Sequence, residues 1–207
     1  MSVTKKLFIG VLAVGIAATA AYAALLMADN FSYPDGNLAG QGGWTNHSGS
    51  GTFIQVTGGE VYLTPGGGSR EDVNKTFDAQ AMDATTYACF KLRVPRLDGP
   101  VEWYDYFAHF KPTDFDFRSR VYVYPPNANG DFTVALSTTS SSRSPIVVWL
   151  SDLSYDTTYR IVHNYNAATG ISELWVDPVD ETSTKIVAGH GDVPDPPIAV
   201  ASYAWRQ

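Results

Sequence analysis

Apolar and polar residues alternate along most of the chain, in short runs that are separated by turn residues. The clearest example is Tyr159–Pro178, where two such runs are joined by a polar turn at Asn166–Gly170. The residues of the first run that share one face are Tyr159, Ile161, His163 and Tyr165. Because successive side chains of a strand point to opposite sides, this segment predicts a β-hairpin with one buried face.

The same period of two recurs before and after this hairpin, and no helical period is sustained beyond the N-terminal segment. The other predicted strands are Thr52–Val56, Glu60–Thr64, Asp72–Phe77, Thr86–Val94, Val101–Phe110, Ser119–Tyr124, Phe132–Leu136, Ile146–Leu150 and Lys185–Val187. Many short strands with turns between them are typical of an antiparallel two-sheet β-sandwich. The hydrophobic fraction of 44% is enough for a substantial core. We therefore expect an all-β fold.

The N-terminus has the three parts of a secretory signal. Lys5 and Lys6 supply positive charge, Leu7–Ala21 is apolar, and Ala21-Tyr22-Ala23 matches an A-x-A cleavage site. We expect residues 1–23 to form a signal helix that is removed on export.

The alternative is a retained membrane anchor, because the apolar run continues through Ala24–Met27. Its richness in alanine and glycine makes it weakly hydrophobic for a permanent span.

Once the signal is removed, we expect residues 24–207 to form a single domain that is secreted or held in a bacterial cell envelope. Export without a possible internal disulfide fits this compartment.

The net charge limits the classes of molecule that the protein is expected to bind, and the cysteine content limits its thiol chemistry. Only 17% of residues are charged and the net charge is −7, which disfavours binding to nucleic acid or to an anionic membrane. We expect neither as a partner once the signal is removed. The single cysteine, Cys89, lies in an alternating strand pattern and is expected to be a buried, inert thiol.

The acidic residues do not indicate a hydrolase. Glycosidases need two carboxylates beside the scissile bond. The best local pair, Glu102 and Asp105, is three residues apart and so points to opposite faces of a strand. The four histidines lack the spacing of a zinc site. We therefore expect no enzymatic activity.

An aromatic surface is the best candidate for ligand binding. The candidate residues are Trp103, Tyr104, Tyr106, Tyr122 and Tyr124, with Arg120 and His109 as hydrogen-bonding neighbours. Strict alternation places Tyr106 and His109 on opposite faces, so the register of the strands decides which side chains meet. Packing of these rings into the core is the alternative interpretation.

Turn acids are candidate ligands for calcium, which prefers several oxygen ligands from loops. Asp29 and Asp35 lie in the turn-rich segment Asp29–Gly43 and are the two residues assigned to such a site. The alternative is that these carboxylates are ordinary solvated turn residues. Calcium is the only cofactor that the sequence indicates.

Several segments together resemble bacterial exported domains of the laminin-G-like, concanavalin A-like jelly-roll superfamily. They are Asp29–Leu38 with Gly43-Trp44, Tyr106–Phe110, Arg120–Val123, and Tyr159 with Leu174–Pro178. The resemblance implies a jelly roll of two antiparallel sheets, one of them concave, of the kind found in surface, adhesive or sugar-binding proteins. Such domains continue beyond a segment like Ala201–Gln207 into a closing strand. We therefore expect either that the sequence is a fragment, or that the closing strand is absent or comes from a neighbour.

Two functions follow from these patterns. The first is a non-catalytic module that binds a polysaccharide or surface glycan on its aromatic face. The second is a structural or self-assembling envelope protein, in which a neighbouring chain adds a strand to an open sheet edge.

Overall fold

The computed structural model describes residues 24–64, 70–96, 106–138, 147–189 and 196–207. The predicted signal helix at residues 1–23 lies outside these ranges. All regular secondary structure in the described ranges is β, arranged in three antiparallel sheets, which confirms the all-β prediction. In the same ranges, no helix is long and apolar enough to cross a membrane.

The largest sheet has seven strands. From one edge to the other they are β10 (Val147–Val148), β9 (Thr133–Ser137), β8 (Arg118–Tyr124), β7 (Tyr106–Lys111), β14 (Ser202–Arg206), β5 (Asp72–Thr76) and β2 (Thr45–Ser48). The C-terminal strand β14 was not predicted, and it lies in the middle of the sheet between β7 and β5. The described edges of this sheet are β10 and β2.

Two smaller sheets complete the fold. The four-stranded sheet contains, in order, β13 (Ile186–Ala188), β12 (Ile171–Val176), β11 (Thr158–Asn166) and β6 (Thr85–Arg93). The predicted hairpin is confirmed as β11 and β12, with Ile161 opposite Val176 and Asn166 opposite Ile171. The three-stranded sheet contains β1 (Gly36–Asn37), β3 (Gln55–Thr57) and β4 (Glu60–Tyr62).

The turn between β3 and β4 shows why the sequence folds back at this point. Gly58 and Gly59 have φ angles of 59° and 81°, which side chains with a Cβ rarely adopt. Two consecutive left-handed residues match the twist of a tight hairpin. The turn joins β3 to β4, which overlap the predicted strands Thr52–Val56 and Glu60–Thr64.

The inward faces of the seven-stranded and four-stranded sheets share one hydrophobic core. Its fully buried members include Val121, Val134, Leu136, Ile161 and Leu174, which come from both sheets. Aromatic rings cross the interface as well, since Phe90 of β6 lies 5.1 Å from Trp205 of β14, edge to face. This arrangement of two packed layers is consistent with a sandwich.

The prediction for Cys89 was wrong, because its side chain is exposed. Strand β6 turns Ala88, Phe90 and Leu92 toward the core. The alternation then leaves Cys89 on the outer face of the four-stranded sheet. A thiol can therefore lie within an alternating strand and still be on the solvent-exposed face of the sheet.

A chain of buried hydrogen bonds connects the two sheets through His163. Ser119 Oγ lies 2.8 Å from His163 Nδ1 and donates to the Asn164 carbonyl at 2.8 Å. The Tyr203 hydroxyl lies 2.8 Å from His163 Nε2. Because Ser119 has one proton and gives it to Asn164, His163 must carry its proton on Nδ1 and accept from Tyr203 at Nε2. We call this the inter-sheet chain.

Burial keeps the inter-sheet chain neutral. Removal from water lowers the pKa of His163 from 6.5 to about 3 and raises the pKa of Tyr203 well above its usual value. Both groups are therefore uncharged at neutral pH, which agrees with the direction of the hydrogen bonds.

Replacing Tyr203 by phenylalanine tests the inter-sheet chain. The Y203F substitution leaves His163 Nε2 without a donor, and we expect the free energy of unfolding to fall by about 1–3 kcal/mol. Urea unfolding measures this change. Y62F is the matched control: Tyr62 is exposed, and its loss should change stability by less than about 0.5 kcal/mol. Equal effects of the two substitutions would contradict the assignment.

Acid should destabilise the protein through His163. Its pKa is about 3 when folded and 6.5 when exposed, so the unfolded chain binds the extra proton between these values. Stability is complete above pH 6.5 and falls toward pH 3, with a slope of up to about 1.4 kcal/mol per pH unit from this residue. Urea unfolding across this range should show a shallower slope for H163Q. An unchanged slope would contradict the prediction.

Candidate functional sites

The predicted ligand-binding residues lie on the outer face of the seven-stranded sheet, the side turned away from the shared core. Tyr106 of β7 pairs directly with Tyr122 of β8, and their ring centroids are 5.7 Å apart. The Arg120 guanidinium lies 4.4 Å from the centre of the Tyr106 ring. His109 is 5.3 Å from the same ring, edge to face. Four of the predicted residues are therefore neighbours.

Two irregularities in the pairing of β7 with β8 bring Tyr106 and His109 together. The register shifts between Tyr106 and Ala108, and again between Ala108 and Phe110. The first shift turns Tyr106 to the outer face while Phe107 packs toward the core against Phe90. The expectation that Tyr106 and His109 lie on opposite faces was therefore wrong, because it assumed unbroken alternation.

Residues that the sequence did not indicate complete this group, which we call the outer cluster. Arg206 of β14 lies 4.3 Å from the Tyr106 ring. The Phe117 ring is 4.2 Å from His109, and His47 of β2 is 5.9 Å from Phe117. Lys111 stands 5.8 Å from the Phe115 ring. The outer cluster thus contains Tyr106, Tyr122, His47, His109, Lys111, Phe117, Arg120 and Arg206.

Most of the outer cluster is buried, and it is not an open stacking surface. His109 and Tyr122 have no exposed area, and Tyr106 and Arg120 are also buried. Tyr124 is half-buried and packs against the cluster. Trp103 and Tyr104 lie outside the described residues. The assignment of these residues to ligand binding therefore stays a prediction.

The two histidines of the outer cluster have unusual surroundings. Burial, followed by the charges of Lys111 and Arg206, lowers the pKa of His47 to about 4. Burial also lowers the pKa of His109 well below its usual value, and His47 and Arg120 add to the effect. Both ring nitrogens of each histidine are buried and have no hydrogen-bond partner within the described part of the chain.

A groove of about 300 Å³ lies on the opposite side of the molecule, on the outer face of the four-stranded sheet. We call it the outer groove. The lining residues are Tyr87, Cys89, Arg160, Val162, Trp175, Pro178, Val179, Asp180 and Glu181. Cross-strand pairing explains the arrangement, because Val162 lies opposite both Cys89 and Trp175.

The Tyr87 ring gives the outer groove an exposed aromatic surface, and the buried Trp175 ring lies beside it. The Tyr87 and Trp175 centroids are 6.4 Å apart and the ring planes are tilted by 31°. Tyr87 is 44% exposed, whereas Trp175 is 2% exposed and has the Lys185 ammonium 5.2 Å from its ring. Burial raises the pKa of Tyr87, so its hydroxyl keeps its proton and remains a hydrogen-bond donor.

The polar groups of the outer groove are held by local hydrogen bonds. The Asp180 carboxylate accepts from the Thr182 backbone N–H at 2.8 Å and from its hydroxyl at 2.6 Å. Hydrogen bonds from the Thr182 side chain and backbone lower the pKa of Asp180, which is therefore ionised. Arg160 donates to the Pro178 carbonyl. These contacts fix an acceptor and a donor beside the aromatic rings.

No family model, curated protein or solved structure matches this chain. The resemblance to concanavalin A-like domains therefore rests on the sequence segments that carry it. The chemistry of the outer cluster and the outer groove is the basis for assigning a function.

The carboxylates assigned to calcium accept hydrogen bonds from other residues of the chain. Asp29 accepts hydrogen bonds from Phe31 N–H, the Tyr33 hydroxyl, Trp44 Nε1 and Lys75 Nζ. Asp35 instead accepts from the Gly58 N–H at 2.8 Å. Within the described ranges, no three His, Cys, Asp or Glu side chains are placed to hold a metal ion. Calcium binding by Asp29 and Asp35 stays a prediction.

A weak sequence signal for the outer groove was present. Trp175 alternates with Leu174, so one of the two had to face outward, and Tyr87 alternates in the same way with Ala88. For His47 there was no signal, because Thr45–Ser48 has no alternating pattern. Arg206 lies in a strand that was not predicted.

Asp29 should stabilise the fold, and asparagine at this position tests it. Burial alone would raise the pKa of Asp29, but hydrogen bonds from Tyr33, Lys75, Phe31 and Trp44 outweigh it and lower the pKa to about 2. The ionised form is therefore the stabilising one. We expect D29N to reduce the free energy of unfolding by about 1–3 kcal/mol at neutral pH.

The effect of D29N should be complete above pH 3.8 and should shrink as the pH falls toward 2, where wild-type Asp29 itself becomes protonated. Urea unfolding at several pH values measures it. D35N is the control, because Asp35 is exposed and its change should stay within about 0.5 kcal/mol. A pH-independent effect of D29N would contradict the assignment.

Proposed function

We propose that this chain is a non-catalytic carbohydrate-binding domain of an exported bacterial protein, built on a concanavalin A-like jelly roll. Its ligand is a polysaccharide or a surface glycan. The observation that carries the proposal is the outer groove, where a partly exposed tyrosine ring lies beside fixed hydrogen-bonding groups. The sequence features of export and of the jelly-roll superfamily support the same conclusion.

The outer groove has the chemistry that a sugar ring requires. One face of a pyranose is made of C–H groups and packs on an aromatic ring, while the hydroxyl groups at its edge need donors and acceptors. Tyr87 supplies the exposed ring, Asp180 and Glu181 supply acceptors, and Arg160 supplies a donor. A volume of about 300 Å³ is at the lower end of the range for ligand sites.

Self-assembly by strand addition is a second candidate, and one observation favours it. Strand β6 (Thr85–Arg93) is nine residues long and forms an edge of the four-stranded sheet among the described strands. A long edge strand offers unpaired backbone groups to another chain. Lys91 and Arg93 lie on its outer side, and such charges oppose uncontrolled pairing. A concentration-dependent increase in molecular mass would support assembly.

A glycan array, with and without calcium, tests the proposed function. A polysaccharide retained by wild-type protein should bind Y87A roughly tenfold or more weakly, because the exposed ring is the stacking surface. Y62A is the matched control, since Tyr62 is 45% exposed and Tyr87 44%, but Tyr62 lies outside the outer groove. Its affinity should equal that of wild type.

Three results would contradict the proposal. One is the absence of binding to any glycan. Another is an equal loss of affinity in Y87A and Y62A. Release of reducing sugar from a bound polysaccharide would show a catalytic protein and would overturn the non-catalytic part. Dependence on added calcium would support a metal requirement, with D35N as the variant that should then lose binding.

A further inference from the structure

The outer cluster contains polar atoms that are buried and unsatisfied, which is rare in folded proteins. His109 has no exposed area, and neither of its ring nitrogens has a partner within the described ranges. The same is true of both His47 nitrogens and of Arg120 Nε. Burying such a group is unfavourable unless something hydrogen-bonds to it.

Positive charge surrounds these unsatisfied atoms. The Arg120 and Arg206 guanidinium groups lie over the Tyr106 ring at 4.4 Å and 4.3 Å. Among the described residues, Arg206 pairs with Asp72 at 3.6 Å and Arg118 pairs with Asp116, but no ion pair to Arg120 or Lys111 is found. Arg120 therefore has no carboxylate partner among the described residues, and Lys111 has only the nearby charge of Asp114, without an ion pair.

We propose that the outer cluster binds an oxyanion, either a free sulfate or phosphate or the sulfate or carboxylate group of an acidic sugar. His47, His109 and Arg120 donate hydrogen bonds to it, and Lys111 contributes charge. This site is separate from the outer groove and does not depend on the proposed function. Arg120 and His109, which were predicted to bind a glycan by hydrogen bonds beside aromatic rings, would here bind an anionic group.

The surroundings favour an anion over a metal ion. A pair of histidines can ligate zinc, but a divalent cation would be repelled by Arg120, Arg206 and Lys111. An oxyanion accepts hydrogen bonds from arginine and from the N–H groups of histidine. Its charge also favours protonation of the imidazoles, which turns both nitrogens of each ring into donors.

The edge of the outer cluster gives the oxyanion a route. His47 and Arg206 are only partly buried, whereas His109 behind them is completely buried. The segment between β7 and β8 forms the wall, with Phe117 packed on His109 and Phe115 64% exposed. The His47 and Phe115 rings lie at this edge with their centroids 6.1 Å apart.

Nuclear magnetic resonance of the histidine rings tests the proposal on wild-type protein. Titration with sodium sulfate, with chloride at equal ionic strength as the reference, should shift the ring signals of His47 and His109. His163 is an internal control, because its two nitrogens are already hydrogen-bonded in the core. Absence of a saturable shift at His47 and His109, or an equal shift at His163, would overturn the proposal.

Separate arms with phosphate, glucuronate, a sulfated monosaccharide and neutral glucose distinguish the source of the oxyanion. Saturation by inorganic anions alone indicates a free ion, and tighter binding of one acidic sugar indicates a sugar ligand. Shifts with glucose that equal those with glucuronate would overturn the requirement for charge.

Variants separate this site from the outer groove. R120M keeps much of the apolar stem and removes the charge, and it should weaken anion binding by roughly tenfold to a hundredfold. R160M, in the outer groove, should leave anion binding unchanged. Equal affinities of R120M and wild type would overturn the assignment of Arg120. If Y87A loses glycan binding and keeps anion binding, the oxyanion site is independent of the outer groove, as proposed.

Discussion

The inter-sheet chain is the constraint on which the rest of the structure depends. Tyr203, His163 and Ser119 belong to three different strands, and each group has one arrangement that satisfies all of its partners. Apolar side chains tolerate small shifts of one sheet over the other, whereas buried hydrogen bonds do not. Ser119 has a φ of 53°, an unusual conformation for a residue with a side chain, and its two hydrogen bonds offset part of that cost.

The same constraint shapes the outer face. Ser119 lies where β8 has two residues, Ser119 and Arg120, against His109 alone on β7. When Ser119 points inward to His163, Arg120 must point outward, and the shifted register of β7 presents His109 beside it. A core interaction thus helps to position the outer cluster on the opposite face of the sheet. The outer faces of the two sheets consequently differ: one holds buried cations and histidines, and the other holds an open groove with acidic side chains.

Regular strands could be predicted from the sequence and irregular ones could not. In β6, β11 and β12 each side chain alternates without interruption, so the hairpin and the buried face of Ile161 and His163 were predictable. A bulge adds one residue to a strand without changing its composition. For this reason the contact between Tyr106 and His109 could not be predicted from the sequence. Strand β2 was missed because Thr45–Ser48 has no apolar residue that could alternate, and β14 was missed because Tyr203, Ala204 and Trp205 form a short continuous apolar run without a period of two.

The exposed thiol has a consequence for the outer groove in an oxidising medium. Cys89 is the only cysteine of the chain and lines the groove next to Tyr87 and Trp175. In an oxidising medium an accessible thiol pairs with another chain when no internal partner exists. A disulfide between two copies would join them groove to groove and cover both grooves. The redox state of the medium would then decide whether that face is open.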